Sequence, residues 1–442
     1  MPKISSVQKA VHAAARDRVV RSFTRLKKHW NNGRWLGERN YYKRDTSNRV
    51  KGAQGTFKDL QLIDYIGAST LGHCFDGWSY LGRAMEAELA GDPGSARHLG
   101  YYAELRAAMS LLACEGIGIF NTSHAVVMAD GTCSGFGNGK GTHKIVWEVL
   151  DKWSRTNGCT DRLLGIIRPS GIALAEWIEQ FGGSAQFVTS NWLEKWGLDL
   201  RRLESDRDAR NLASYRPASL SGAPPAGVEQ TIAAVDELWT LCEPGGGGGF
   251  PLMDRHLLRQ VLVQLFERQG DGFGVPREMG RFTQEVARML GALGVGAEQS
   301  DLRSFLAFDL VQRPSSLLVD ASGDVEADHV DHSKQVLARA TLLLRLATGS
   351  VAELLKESDS DFDQELQFWW KGEAVRRRLW SMSGRPEAFP DLWDDVESAL
   401  EDAQMWLSSP PAETSHWSFW TQTQQAGWLL STVERAFLWG MA

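Results

Sequence analysis

Apolar residues recur at three- and four-residue steps along most of the chain, and this spacing predicts a mostly α-helical, multi-helical protein. Near the N-terminus the pattern indicates one helix from Ser5 to Trp30. Its apolar positions are Val7, Val11, Ala15, Val19, Phe23, Leu26 and Trp30. Residues 60–120 are predicted to form helices joined by a short turn at residues 91–94. Within them the stretch Tyr101–Ala113 is apolar almost all round, so it is predicted to be a central core helix.

Two stretches rich in glycine and proline interrupt the helical pattern. Residues 215–228 have the composition of a linker, and the glycine run 245–249 is predicted to lie at the surface. We therefore expect two or three domains. They are a basic N-terminal arm at 1–58, a helical domain at 59–214, the linker, and a Trp-rich helical domain at 229–442.

Tryptophan is concentrated towards the end of the sequence. Nine of the 18 tryptophans lie between Trp369 and Trp439. This enrichment favours a Trp-rich helical core, and the alternative is a set of interface anchors formed by Trp417, Trp420 and Trp428.

Charge divides the chain unevenly. The first 58 residues carry 15 Lys and Arg against three acids, a net charge of +12, whereas the other 384 residues carry 33 bases and 52 acids, a net charge of −19. A basic segment threaded with aromatic rings predicts phosphate contacts and base stacking, hence a nucleic-acid partner. A solvated basic face on a core helix and a membrane-surface helix are the alternatives.

The predicted nucleic-acid-binding residues all lie in this basic segment. They are Arg16, Arg18, Arg21, Arg25, Lys27, Lys28, Trp30, Arg34, Trp35, Arg39, Lys43 and Arg44.

Two further motifs invite a chemical interpretation. The glycine-rich loop at 130–142 resembles a phosphate-binding loop, but Ser134 stands at its first glycine position and Gly141 follows Lys140, so a surface loop is favoured. Residues 320–332 collect five carboxylates and two histidines, yet their spacing fits no known metal motif and helix capping is the simpler role. We predict neither a metal nor a cofactor.

The helix Tyr101–Ala113, followed by Gly116 and by Asn121 to His124, resembles a helix of the bacterial HEPN-like helical domains over residues 60–160. Members of that group include toxins, ribonucleases and adaptors of antiviral defence. Their nucleases carry an Arg and a His on one helix with four to six residues between them. Here Arg25 and His29 are separated by only three residues, so the resemblance implies a non-catalytic scaffold.

Five widely spaced cysteines, with no paired motif, indicate a protein of the reducing cytoplasm. No apolar run is long enough to span a bilayer, so we expect no membrane partner. The leading hypothesis is a nucleic-acid-binding helical subunit of a bacterial multi-protein assembly in antiviral defence. One alternative is a hydrolase or nuclease whose site forms around Glu104, Arg106, His124 and His143. The other is a structural subunit that binds only protein partners.

Overall fold

The computed structural model contains 21 α-helices and one four-stranded antiparallel sheet among the residues that it describes, which confirms the mostly α prediction. The described residues are 4–53, 55–184, 200–215, 226–267, 275–296, 300–309, 311, 313–322, 332–380, 384–409, 411 and 413–442. Most of the predicted linker (216–225) and most of the acidic stretch (323–331) lie outside them. The domain boundary and the role of that stretch therefore stay predictions.

The predicted helix over residues 5–30 is in fact two helices, α1 (Ser6–Ala13) and α2 (Arg16–Trp30). The chain is extended at Ala14 and Ala15, and the Ala15 N–H donates to the Val127 carbonyl at 3.0 Å. Apolar periodicity continues across the break because both helices bury the same side. The break itself satisfies backbone groups against the sheet.

The N-terminal segment packs into the core of the protein. Val19, Phe23 and Leu26 of α2 are fully buried, and α2 lies against α4 (Leu60–Leu89). Between them come α3 (Tyr42–Gly52) and the short strand β1 (Thr56–Phe57).

The helix α4 and its successor α5 (Pro93–Cys114) form the predicted hairpin around the turn at residues 91–94. Asp59 caps α4 by accepting from the N–H groups of Gln61 and Leu62. Asp92 caps α5, where Pro93 occupies the first turn. Capping at both starts fixes the helix boundaries that the periodicity alone left open.

The sheet continues with β2 (Ile117–Phe120), β3 (Ser123–Val127) and β4 (Cys133–Phe136) in the order β1-β4-β3-β2. Part of the predicted glycine-rich surface loop is therefore strand β4, paired with β3 and β1. Pairing on both sides removes this part of the loop from any phosphate-cradling role.

The remaining helices follow in chain order. They are α6 (Thr142–Ser154), α7 (Asn157–Ile166), α8 (Leu174–Gln180), α9 (Leu200–Tyr215), α10 (Val228–Cys242), α11 (Pro251–Glu267), α12 (Met279–Ala292), α13 (Ser300–Leu306), α14 (Ser316–Ser322), α15 (His332–Glu357), α16 (Phe362–Glu365), α17 (Gln367–Arg377), α18 (Trp393–Ser408), α19 (His416–Gln422), α20 (Gln424–Leu430) and α21 (Glu434–Gly440). Short 3₁₀ turns lie at Pro169–Gly171 and Phe389–Leu392.

The centre of the fold is the packing of α4, α5 and α15, and it confirms α5 as a core helix. The Trp78 indole N–H donates to the Thr348 hydroxyl at 2.9 Å inside this centre. One hydrophobic cluster extends from Val7 to Met441, so the helices at both ends of the sequence share a core. All five cysteines are buried and free.

Two arginines of α15, Arg339 and Arg345, are buried and paired with carboxylates. Arg339 donates to Asp206 at 2.7 Å, and Arg345 donates to both oxygens of Asp254 at 2.9 and 2.8 Å. Arg345 also donates to the Ile166 carbonyl at 2.8 Å. These guanidinium groups stay buried because carboxylates from distant helices replace water as their hydrogen-bond partners.

Candidate nucleic-acid interface

Arg16, a predicted nucleic-acid ligand, is instead part of a buried charge cluster. Its guanidinium lies 3.1 Å from Glu357 and 3.5 Å from Glu115, and Arg162 contacts Glu353 at 2.6 Å in the same cluster. The cluster joins α2, α5, α7 and α15. Burial raises the pKa of Glu115, and the charge of Arg16 partly opposes that rise. Arg16 therefore has no side-chain surface for a phosphate.

Three more predicted ligands bind groups within the protein. Arg25 lies 2.6 Å from Asp64, and Lys27 lies 3.3 Å from Glu365. The Arg18 guanidinium donates to a backbone carbonyl, that of Ala129, at 2.7 Å. These contacts tie α2 to α4, α16 and the sheet, so the three cations hold the N-terminal segment in place.

The two tryptophans of the predicted set are core residues. Trp30 is 2% exposed and packs edge-to-face on Phe23, with ring centroids 5.5 Å apart. Trp35 is half-buried and packs against Phe368 and Trp369 at 5.6 and 4.7 Å. Burial leaves Trp30 no free ring face for a base, whereas Trp35 keeps a partly exposed ring beside Phe368 and Trp369.

The other six predicted residues lie exposed, together with three cations that the prediction left out. We define this set as the basic surface: Arg21, Lys28, Arg34, Arg39, Lys43, Arg44, Arg49, Lys51 and Lys58. The same stretch exposes only three acids, Asp17, Glu38 and Asp45, which leaves a surplus of six positive charges. Asp17 and Glu38 pair with Arg21 and Arg34, and the remaining seven cations form no ion pair with an acid in the described residues.

Local structure holds the cations of the basic surface towards solvent. The chain leaves α2 through Gly33, whose positive φ of 70° suits glycine, and its N–H donates to the Trp30 carbonyl at 2.8 Å. In α3 the non-helical Asp45 accepts from the N–H of Asn48 at 3.3 Å. Irregular backbone on both sides of α3 brings its charged residues to the outside.

The exposed ring of the basic surface is Tyr41. It is 54% exposed, and the Arg49 guanidinium lies 4.5 Å from its centroid. Its neighbour Tyr42 is buried and donates its hydroxyl to Asp59 at 2.6 Å. The prediction missed Tyr41 and Arg49 because the sequence does not show which of two adjacent tyrosines points outwards.

The four residues of the alternative catalytic site take part in separate contacts. Glu104 is fully buried, 3.6 Å from the Arg339 guanidinium, which also holds Asp206. Burial raises the pKa of Glu104 well above its ordinary value, and the negative charge of Asp206 adds to the rise. A fully buried carboxyl held beside a buried guanidinium and a second carboxylate is typical of a structural ion cluster.

His124 of β3 is satisfied at both ring nitrogens. Its Nδ1 accepts from the Phe120 N–H at 3.1 Å, so the proton is on Nε2, which donates to the Lys140 carbonyl at 3.0 Å. Burial lowers the pKa of His124, which keeps this neutral form. The side chain closes the β2–β3 turn onto the loop before α6.

Arg106 and His143 contact different partners again. Arg106 donates to His73 Nδ1 at 2.8 Å, and burial together with the Arg106 charge lowers the pKa of His73 to about 3. The ring of His143 lies beside Tyr101, with its Nδ1 3.1 Å from the hydroxyl. Each of the four residues contacts a different partner and, among the described residues, no hydrogen bond joins two of them, so nothing in these contacts supports the catalytic alternative, which stays a prediction.

Comparison with family models, with curated proteins and with solved structures finds no match to this chain. The resemblance to HEPN-like domains therefore stays a prediction. Across the described ranges, no helix combines the length and apolarity needed to cross a membrane. Within those same ranges, no group of three or more His, Cys, Asp or Glu side chains is arranged to hold a metal ion.

Proposed function

We propose that the protein binds nucleic acid through the basic surface. The observation that supports this most directly is the surplus of six positive charges on a segment whose apolar residues are anchored in the core. Arg16, Arg25 and Lys27 form internal ion pairs and Arg18 bonds to the Ala129 carbonyl, whereas the cations of the basic surface are exposed to water. Exposed, unpaired cations are the groups that release counterions from a phosphate backbone.

The chemistry of the surface favours phosphate contacts over base recognition. Its groups are long, solvated lysine and arginine side chains, which position a nucleic-acid backbone without reading its sequence. Tyr41 supplies one accessible ring, and a ring face beside a guanidinium suits an unpaired base. We expect binding that depends strongly on salt and weakly on sequence.

The acidic remainder of the chain supports the same proposal. Residues 59–442 carry a net charge of −19, so a polyanion is repelled from most of the protein. Repulsion elsewhere and attraction at one surface orient the approaching nucleic acid. Membership of a multi-protein assembly in antiviral defence is a second part of the proposal, and it rests on the resemblance alone.

The test replaces the six exposed residues of the predicted set, Arg21, Lys28, Arg34, Arg39, Lys43 and Arg44, with Gln. For about six phosphate contacts, duplex affinity of the unchanged protein should fall by roughly three decades between about 50 and about 200 mM salt. The variant should lose binding in a fluorescence anisotropy titration and keep its unfolding midpoint, because these side chains bury nothing.

The matched control replaces six exposed cations elsewhere with Gln: Arg83, Lys144, Arg281, Lys356, Lys371 and Arg376. It removes the same total charge, so it should weaken binding only through the general field of the protein. Equal loss in both variants, or an affinity that ignores salt, would reject the basic surface as the site.

A further inference from the structure

A second, oppositely charged surface lies in the C-terminal region. From Pro386 to Glu434 the chain contains no Lys or Arg and nine acids. This run of 49 residues includes the whole of α18, α19 and α20. Such a composition produces a continuous negative field wherever those acids share one face.

The helix α18 does present such a face. Asp394, Glu397, Glu401 and Asp402 are all exposed, at spacings that keep them on one side of the helix. Met405 follows Glu401 by four residues on the same side and is 67% exposed. We define these five residues as the acidic face.

The charge of the acidic face is not neutralised within the protein. Its four acids form no ion pair with a described cation, whereas their neighbour Asp395 pairs with the buried Arg435 at 2.9 Å. Beside them, burial and the negative charge of Glu397 raise the pKa of Glu243 on the next helix layer. That second cause is what an uncompensated cluster of carboxylates produces.

A large apolar side chain stands on the adjoining helix. Trp417 of α19 is 75% exposed, and α19 is held against α18 by the edge-to-face contact of Phe419 with Trp406, at 5.2 Å. Exposed Trp and Met beside charge are typical of an interface anchor, and rarely of a solvated helix. The acidic face therefore has both the charge and the apolar groups of a docking site for a basic partner.

We propose that the acidic face, with Trp417, binds the basic surface of a second copy of this chain. The basic surface supplies the complementary charge and an exposed ring, Tyr41, for contact with Trp417 or Met405. No ion pair joins the two surfaces within one chain across the described ranges, so both stay available to another molecule. Because two different surfaces meet, two copies can pair them reciprocally in a two-fold dimer, or the contact can repeat head-to-tail into a ring or a longer assembly.

The basic surface is shared with the proposed nucleic-acid site, and this predicts competition. A bound polyanion covers the cations that the acidic face of another copy needs, so nucleic acid should dissociate the self-assembly. The acidic face itself takes no part in the proposed nucleic-acid binding. A variant of that face thus separates the two proposals.

The experiment measures association of the full chain by sedimentation velocity at about 50 and about 200 mM salt, over a range of concentrations. One variant carries Glu397→Lys, Glu401→Lys and Asp402→Lys, and the other carries Arg39→Glu, Lys43→Glu and Arg44→Glu. Each alone should weaken self-association at least about tenfold, since like charges then oppose each other. Mixed in equal amounts, they should form a complex, because the first retains the basic surface and the second retains the acidic face.

A control variant with Asp161→Lys, Glu176→Lys and Glu179→Lys moves net charge equally and should associate like the unchanged protein. The acidic-face variant should still bind an oligodeoxythymidylate, at least as tightly as the unchanged protein does, because it keeps the basic surface and has lost negative charge elsewhere. If it loses self-association and the unchanged protein binds no oligonucleotide, only the proposed function fails. A protein that sediments as a monomer at low salt, or that assembles equally well when either charged surface alone is reversed, overturns the self-association.

Discussion

Arg345 in α15 and Arg39 on the basic surface are the same residue type in opposite situations. Arg345 is buried and bonds to both oxygens of Asp254, whereas Arg39 is exposed and forms no ion pair or hydrogen bond within the described residues. The guanidinium of Arg345 has a structural role, because its charge is neutralised by a carboxylate inside the protein. The guanidinium of Arg39 has its full charge available to a ligand. The comparison teaches that a cation acquires its role from the carboxylates folded against it, and that net charge alone does not reveal that role.

The largest expected effect is the loss of stability when the buried Arg345 loses its carboxylate partner. Asp254→Ala leaves the buried Arg345 without its carboxylate and removes the acceptor of the Arg168 N–H. We expect the free energy of unfolding to fall by about 3–5 kcal/mol, as for other buried pairs that lose one partner. Urea unfolding measures it, with the exposed Asp161→Ala as the control that should change stability by less than about 0.5 kcal/mol.

Aromatic residues extend the comparison to the basic segment itself. Trp30→Ala should cost about 3–5 kcal/mol of stability because the ring is core, and Tyr41→Ala should cost less than about 0.5 kcal/mol because the ring is exposed. Tyr41→Ala should instead weaken binding of a single-stranded oligonucleotide by about 1–3 kcal/mol. Unfolding and anisotropy titrations on both variants measure these effects. If Tyr41→Ala lost stability and Trp30→Ala lost only binding, Trp30 would not be the core ring and Tyr41 would not be the binding ring.

The buried carboxyl Glu104 allows the interior ion pairs to be tested through the pH dependence of the free energy of unfolding. Its pKa in the folded state lies above the ordinary 4.5, so its contribution to stability is complete below that value and is lost as pH rises towards the folded pKa. The slope reaches at most about 1.4 kcal/mol per pH unit. Glu104→Gln cannot ionise and should unfold with a flatter pH profile between about pH 5 and pH 8. An unchanged profile would show that Arg339 keeps Glu104 charged.

The smallest effect concerns a single cation of the basic surface. Arg39→Gln should change the free energy of unfolding by less than about 0.5 kcal/mol. If Arg39 contacts one phosphate, the slope of log affinity against log salt should become shallower by about 0.9 for a duplex. A salt series by anisotropy measures this slope, and Arg281→Gln on a distant helix should leave it unaltered.

Sequence periodicity predicted the parts of the fold that depend on local pattern. The α4–α5 hairpin, its turn and the burial of α5 all follow from apolar spacing and from capping residues a few positions away. The interruption of the first helix was not predictable in this way. Ala14 and Ala15 are good helix formers, and they are extended because a strand more than one hundred residues later offers backbone partners.

The sequence predicted that the candidate site would lie in a basic segment, but it did not predict which residues of that segment are exposed. The excess of Lys and Arg before residue 59 pointed to the segment that carries the proposed basic surface. Which of those cations remain free was decided by Glu353, Glu357 and Glu365, over three hundred residues away in the sequence. Helical periodicity gave the buried side of α2 correctly, yet it placed Trp30 in the binding set because an aromatic ring suits a core and a base equally well.

The Arg16–Glu357 contact joins residues 341 positions apart and has a consequence for synthesis of the protein. During translation α2 emerges early, at a time when its carboxylate partners on α15 have not been made. At that stage α15 is not yet present to help bury the apolar side chains of α2, which include Val19, Phe23 and Leu26. The N-terminal helices should reach their final positions only after residue 357 leaves the ribosome. Until then this positively charged segment exposes its apolar side, and we expect chaperones to bind it.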